Sequence, residues 1–417
     1  MRKERLIVPV LVTIAVIWMV AQLCSALLFE RGLRQALEDL EARGEWRVTR
    51  TESHQGWLRS SGRIILSPLL GRPWRLVLTY NARHGILSTD VEGTLLPRLD
   101  SALQQAVGEV SAPSVPHWEG RYHTLSGRSE LRLALAPFVI QQNGRELDVR
   151  GARLRLEGSF GDWRLRALLE RLTLTDANAR LSLGPLELKS RYTYIDDAYH
   201  FNQHDHLHLD SLTLEHPDLH VRVEPLDLRS HMQLDERELR LRGELELGSV
   251  MLPREAPETP LLAGTVSMEL SRLNADAIRR VIRHLRQEAS WGDPSMPTAD
   301  GLMSRLEPEL LQVLNDSPRL DVDTIALQSP LLGFNITADG ALFFDARELD
   351  ELSLQQLDDP AERQRWTRRV DGDFTWYDAP TMAALWLGLP LSTQELEFDV
   401  VQGRWRINGR PMPDLWP

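Results

Sequence analysis

Three histidines, His204, His206 and His208, alternate along one short stretch. Side chains repeat every two residues on a strand face, so all three project from one side, and Asp210 continues the row. Neutral imidazoles at that spacing could ligate zinc, copper or nickel. Histidine is locally concentrated, with seven of the chain's twelve lying between His200 and His231. The plainer reading is that histidine fills the polar side of a strand whose apolar side carries Leu207 and Leu209. A structural metal site needs about four ligands and a set of outer groups that orient them. No metal, cofactor or catalytic residue is therefore assigned, and the three histidines stand as the candidates a metal would choose.

Two acidic pairs, Asp321 with Asp323 and Asp371 with Asp373, also sit at strand spacing. Two carboxylates alone do not make an acid and base pair, and a solvated face explains them. Nucleophile elbows, phosphate loops, dinucleotide-binding glycines, zinc-protease helices and calcium loops are absent from the sequence. The single cysteine, Cys24, leaves everything beyond it without a thiolate ligand, a cysteine nucleophile or a disulfide. Leu23 stands where a lipidated cysteine would need a small neighbour. A net charge of −12 over 417 residues argues against a nucleic-acid partner. The chemistry thus points to a protein that is not an enzyme.

The elements that carry these residues begin with an apolar stretch. From Leu6 to Phe29 there are 24 uncharged residues, and about 20 suffice to cross a bilayer. Arg2, Lys3 and Arg5 precede the stretch, which predicts a cytoplasmic N-terminus with the bulk of the chain across the membrane. A cleaved signal peptide fits less well, because its apolar region is shorter, about 7 to 15 residues, and ends at a small-x-small site. The pattern predicts a cytoplasmic tip and anchor over 1–29, a juxtamembrane helix over 30–45 carrying Leu33, Leu37 and Leu40, and one β-rich domain over 46–417.

Within that domain apolar residues alternate with polar ones. Examples are Leu131, Leu133 and Leu135, Leu154 and Leu156, Leu186 and Leu188, Leu212 and Leu214, and Leu239, Leu241, Leu245 and Leu247. This predicts a fold that is mainly β with a few helices: an elongated, largely antiparallel sheet with one apolar and one charged face. No tight repeat of the kind that specifies a propeller or a leucine-rich horseshoe is evident. Helical spacing returns near 272–316 as an inserted hairpin. Its first helix carries Ile278, Val281, Ile282 and Leu285 beside Arg279, Arg280, Arg283 and Arg286, and its second carries Met303, Leu306, Leu310 and Leu314. The arginine side could meet anionic lipid, although packing the apolar stripe on the sheet is the ordinary role. A short helix is predicted at Asp359, with Pro360 first and Glu362 completing a capping box, another over 378–387, and a terminal hairpin turning at Gln402-Gly403.

The stretch from Ser53 to Ser61 leading into Arg63-Ile64-Ile65-Leu66, the His84-Gly85 pair, and the ending from Gly403 to Met412 resemble the YdgA-like family of bacterial envelope proteins, as does the N-terminal apolar segment. Arg83 departs from the family's tendency to place an acid before His84. The resemblance implies an inner-membrane protein with its bulk in the periplasm, and it brings no catalytic residues. More distantly, an anchor followed by amphipathic strands is similar to AsmA-like proteins, whose sheets form lipid-holding grooves.

A one-sided apolar sheet has to be covered by protein or by something else. The expected partners are therefore the membrane, through Leu6 to Phe29, and a phospholipid or other apolar ligand along the sheet. The alternative is a scaffold with a closed sheet that binds an envelope protein or a second copy of itself.

Overall fold

The computed structural model describes residues 4–42, 46–68, 74–99, 109–111, 115–142, 144–194, 200–253, 259–290 and 299–412. It is mainly β and comprises two compact units, one of residues 1–143, 148–169 and 285–292, the other of residues 144–147, 170–284 and 293–417.

The first unit opens with a single helix, α1 (Glu4–Ala42). The strands that follow are β1 (Trp46–His54), β2 (Arg59–Pro68), β3 (Trp74–His84), β4 (Ser88–Leu99), β5 (Glu109–Ser111), β6 (His117–His123), β7 (Ser129–Leu135), β8 (Phe138–Gln142), β9 (Arg145–Val149), whose residues 145–147 belong to the second unit, β10 (Ala152–Ser159) and β11 (Asp162–Leu169). Antiparallel pairing runs β1–β2–β3–β4–β6–β7–β10–β11. Leu131 and Leu133 face Leu156 and Leu154 across one pair, so the period-two leucines do share a face.

The helix differs from expectation. Phe29 and Glu30, assigned to separate segments by the sequence pattern, lie in the middle of α1, and residues 43–45 fall outside the described residues. Among the described residues no helix is long and apolar enough to cross a membrane. The side chains of residues 4–17, the first part of the Leu6 to Phe29 stretch, lie outside the described ones. From residue 18 onward α1 docks on the sheet. Gln22, Ser25, Ala26, Phe29 and Glu30 are buried at helical spacing, and Leu33 and Leu37 continue the stripe. Phe29 packs into a core of Ile64, Tyr80, Ala82 and Val91. Gly62 leaves the room that the Tyr80 ring fills.

Polar groups fix the register of the helix. Arg50 Nη1 donates to Glu30 at 2.8 Å, Arg50 also reaches the Tyr80 hydroxyl, and Gln55 donates to Glu30 at 3.1 Å. The Glu30 hydrogen bond raises the Arg50 pKa against the opposing effect of burial, and burial raises that of Tyr80. The outer side of the same helix is apolar and exposed: Trp18, Met19, Val20, Leu23, Leu27 and Leu28.

The second unit contains β12 (Leu172–Thr175), β13 (Arg180–Leu183), β14 (Leu186–Tyr194), β15 (Phe201–Leu209), β16 (Leu212–Glu215), β17 (His220–Val223), β18 (Leu226–Leu234), β19 (Glu238–Met251) and β20 (Leu262–Asn274). The helices α2 (Ala275–Ser290), whose residues 285–290 belong to the first unit, and α3 (Ala299–Val313) come next, then β21 (Arg319–Ser329), β22 (Phe334–Phe344), α4 (Pro360–Thr367), β23 (Val370–Tyr377), α5 (Thr381–Trp386), β24 (Leu396–Val401) and β25 (Arg404–Ile407). Antiparallel pairing runs β14–β15–β18–β19–β20–β21–β22–β23–β24–β25.

A repeat emerges here that the sequence reading did not see. Strands β12 to β15 recur as β16 to β19, offset by 40 residues through the first half of the unit: Leu172 matches Leu212, Pro185 matches Pro225 and Ser190 matches Ser230. The turns match as well. Asp176 and Ala179 exchange backbone hydrogen bonds, as do His216 and Leu219. In both copies a strand bends at its proline. Gly184 N–H donates to Ser211 at 2.8 Å, and Glu224 N–H donates to Ser249 at 2.9 Å, so the ladder continues through the crease. A side chain at Gly248 would run into Pro225, so the crease requires a glycine on that strand.

The hairpin of α2 and α3 sits between β20 and β21 as predicted, with its connection, 291–298, outside the described residues. Arg280 donates to Gln312 at 2.7 Å, and His284 lies 3.2 Å from Glu309, so the pair is pinned by polar contacts. Arg279 is drawn onto the turn before β19, where it reaches the Asp235 and Glu236 carbonyls. The arginine side of α2 is therefore partly committed to protein. At α4, Asp359 caps the Ala361 N–H and Pro360 opens the helix, as expected. The capping box does not form. Glu362 is fully buried and accepts instead from Ser353 N–H at 2.7 Å, while Arg365 lies 2.9 Å from its other oxygen. The terminal hairpin turns at Gln402 and Gly403, both at positive φ.

Candidate functional site

Two faces of the second unit's sheet compete for attention. On the polar face, cross-strand partners place His204 opposite His231, His206 opposite Arg229 and His208 opposite Asp227. The structure does not gather the three histidines around one point. His204 stacks on His231 with ring centroids 4.2 Å apart. His231 Nε2 donates to Asn202 at 2.8 Å. His206 Nε2 and His208 Nδ1 donate to the same Asp227 oxygen, at 2.8 and 3.0 Å. Burial works against the Asp227 carboxylate, but the two imidazole hydrogen bonds outweigh it and hold its pKa below the usual range. Burial, and then the neighbouring His204, push the His231 pKa down. Among the described residues there is no group of three or more histidine, cysteine or acidic side chains that could hold a metal ion.

Three of the four carboxylates in the acidic pairs are likewise committed. Asp321 pairs with Arg319, Asp323 lies 3.1 Å from Arg242, and Asp371 accepts from Gln402 N–H at 2.6 Å.

The opposite face is a broad apolar field. Its rows run straight across the strands: Leu188, Leu207, Leu228, Leu245 and Val266 form one, and Leu186, Leu209, Leu226 and Leu247 form the next. The far end is covered. There α5 packs over Trp376, Leu396, Phe398 and Ile407, closing a small core with Ala379, Ala384 and Leu389. Toward the repeats the face is open in its middle, where Leu228 is 38% exposed, Met268 on the adjoining β20 is 41% exposed, and Leu207, Leu241 and Leu245 are only half-buried, while Tyr192, Tyr194, Leu209 and Leu234 on the same face are buried.

One polar row interrupts this field. Ser190, Asp205 and Ser230 lie side by side on β14, β15 and β18, and Gly243 follows on β19 with open space where a side chain would stand. Gln203 Nε2 donates to Asp205 Oδ2 at 2.8 Å, and Ser230 Oγ approaches the same oxygen at 3.4 Å. Asp205 Oδ1 is buried and has no hydrogen-bond partner. A carboxylate oxygen left this way on an apolar face can accept a hydrogen bond from a hydroxyl or amine. The signal was present in the sequence. Asp205 breaks the alternation that Leu207 and Leu209 keep, and Ser190 and Ser230 occupy equivalent places in the two repeats.

In the first unit three of the segments that carried the family resemblance, the N-terminal apolar run, the Ser53 to Ser61 stretch and the His84-Gly85 pair, come together. Ser60 Oγ lies 2.9 Å from His84 Nε2, Thr89 Oγ1 lies 3.1 Å from His84 Nδ1, and the Phe29 ring packs on the imidazole at 5.4 Å. A serine beside a histidine has the outline of a nucleophile and its base. Here Ser60, His84 and Thr89 are all buried, and a hydroxyl takes the place of an orienting carboxylate. The group seats α1, with Gln22 donating to the His84 carbonyl and Ser25 hydrogen-bonded to Thr124 at 2.8 Å. Burial pushes the His84 pKa down against the attraction of Glu30.

No curated protein matches the chain, and no solved structure matches it. Residues 1–361 match a family model described as a bacterial protein of unknown function (DUF945). The chain therefore belongs to this family of bacterial proteins, whose function is not known.

Proposed function

We propose that this chain is an inner-membrane-anchored protein with its bulk in the periplasm, that it is not an enzyme, and that it serves envelope maintenance by holding a lipid or similar apolar ligand on the open face of its second unit. The observation that carries this reading is the leucine field, which stays exposed around Leu228 and Met268. An exposed apolar area of this kind marks a surface that meets something apolar. An acyl chain suits the leucine rows, and the Asp205 row offers an acceptor to a hydroxyl or amine headgroup. The likeness to YdgA-like and AsmA-like proteins points the same way. The uncharged run from Leu6 to Phe29 supports the anchor.

The test uses alternation. A photoreactive amino acid placed at Leu228, on the leucine face, and separately at Arg229, on the other face, is activated in cells producing the full chain. A phospholipid mass adduct at 228 and none at 229 is expected. Protein crosslinks at 228 without lipid would overturn the reading in favour of a scaffold.

A further inference from the structure

All same-side turns of the first unit's meander carry large apolar side chains. Antiparallel strands that pair in sequence place alternate turns at one end of the sheet, and the turns between β1 and β2, β3 and β4, β6 and β7, and β10 and β11 share that end. They hold Trp57 and Leu58, Ile86 and Leu87, Leu125, and Phe160, all exposed, Leu125 to 85%. Turn tips that face water are normally built from glycine, asparagine, aspartate and serine. Three of these tips are tied directly to one another: His84 N–H donates to the Leu58 carbonyl at 2.8 Å and Thr124 N–H to the Leu87 carbonyl at 3.0 Å.

Helix α1 passes through the same end. Trp18 meets Trp57 edge to face with ring centroids 6.5 Å apart, one helical turn before Gln22 and two before Ser25 reach the sheet. Toward its N-terminus the helix continues the uncharged run back to Leu6. Its sidedness is the reverse of a water-facing helix. Gln22, Ser25 and Glu30 point into the protein, and Met19, Val20, Leu23 and Leu27 point out. One residue behind the tips, Arg59 and Arg83 stand opposite each other on β2 and β3, both exposed. Apolar tips, tryptophans at their margin and arginines one step behind match the depth profile of a bilayer surface with anionic phosphates.

We infer that these four turns form a collar around the emerging helix that inserts into the lipid headgroup and upper acyl region, seating the first unit directly on the membrane surface. This rests on the membrane anchoring proposed above. The helix then does not tether a freely moving domain, because its last apolar turns are part of the domain's own core.

The experiment uses the full chain in proteoliposomes of phosphatidylethanolamine and phosphatidylglycerol. In a Cys24→Ser background, single cysteines at Leu87→Cys, Leu125→Cys and, as a mid-strand control, Glu119→Cys are labelled with an environment-sensitive fluorophore. The collar requires the 87 and 125 probes to be quenched by lipids brominated near the headgroup and to lose iodide quenching several-fold relative to the 119 probe. A chain that floats with the vesicles while its tip probes stay open to iodide overturns the collar alone. Tips shielded from iodide but untouched by brominated lipid also overturn it, in favour of self-association. A chain that does not float overturns both the collar and the anchor.

Discussion

Replacing Leu228 with asparagine separates an open sheet face from a covered one. Complete burial of a leucine side chain stabilises by about 1.5–3 kcal/mol. Leu228 is 38% exposed, so only its contacts with Leu207, Leu245 and its strand neighbours are at stake, roughly three fifths of that value or ~1–2 kcal/mol. The asparagine amide reaches water on an open face and adds no desolvation cost. On a face covered by protein the full leucine value is lost and an unsatisfied amide adds about 1–3 kcal/mol, near 4 kcal/mol together. Hydrogen exchange of β18 reads the difference locally. An open face predicts amide exchange in 226–234 faster by about 5- to 30-fold. A loss near 4 kcal/mol would speed it by about a thousandfold. That larger change, or failure to fold, would refute the open face. The same variant should retain less co-purifying phospholipid while keeping its fold.

Gly248→Val forces a side chain into Pro225 at the crease and should cost about 1–3 kcal/mol, measured by thermal unfolding. Glu362→Gln keeps the volume but removes the ion pair to Arg365 and weakens the bond to Ser353 N–H, so we expect a loss of about 1–3 kcal/mol, detected as faster exchange in 353–367. The folded His84 and His231 bind protons less readily than the unfolded chain, so their contribution to stability is fully present above the ordinary histidine pKa of about 6.5 and declines as pH falls below it. His84→Gln should flatten that acid-side slope in the first unit, as read by exchange at successive pH values. Chain purified without an affinity tag should carry no stoichiometric metal, because His206 and His208 both spend a ring nitrogen on Asp227. Metal that is lost in the triple alanine variant of His204, His206 and His208 would contradict this.

Strand periodicity was legible because it is a direct trace of faces: the alternating leucines read from the sequence are the residues that line up in rows across the sheet. The helical hairpin, the Asp359 cap and the terminal turn were legible for the same local reason. The fate of Glu362 was not, because its spacing from Asp359 satisfies the capping rule while a distant backbone N–H at Ser353 competes for its carboxylate. Nor was the docking of α1. Hydropathy averages over all sides of a helix, and the run from Leu6 to Phe29 hides Gln22 and Ser25 on one side only. The repeat escaped because its copies share leucine, serine and proline positions while their charged and histidine residues differ, and because the second copy has a shorter hairpin. The Asp205 row depends on three strands being in register, which no single stretch of sequence displays.

The creased repeat makes length a modular quantity. Each copy contributes two bent strands, so one more copy would widen the sheet by about 10 Å at the usual strand spacing of about 4.8 Å. Each strand bonds only to its immediate neighbours, so a copy added or removed disturbs the joints at its own borders and leaves the rest of the ladder in place. Duplication within such a chain is a means of lengthening the apolar face without redesigning its joints.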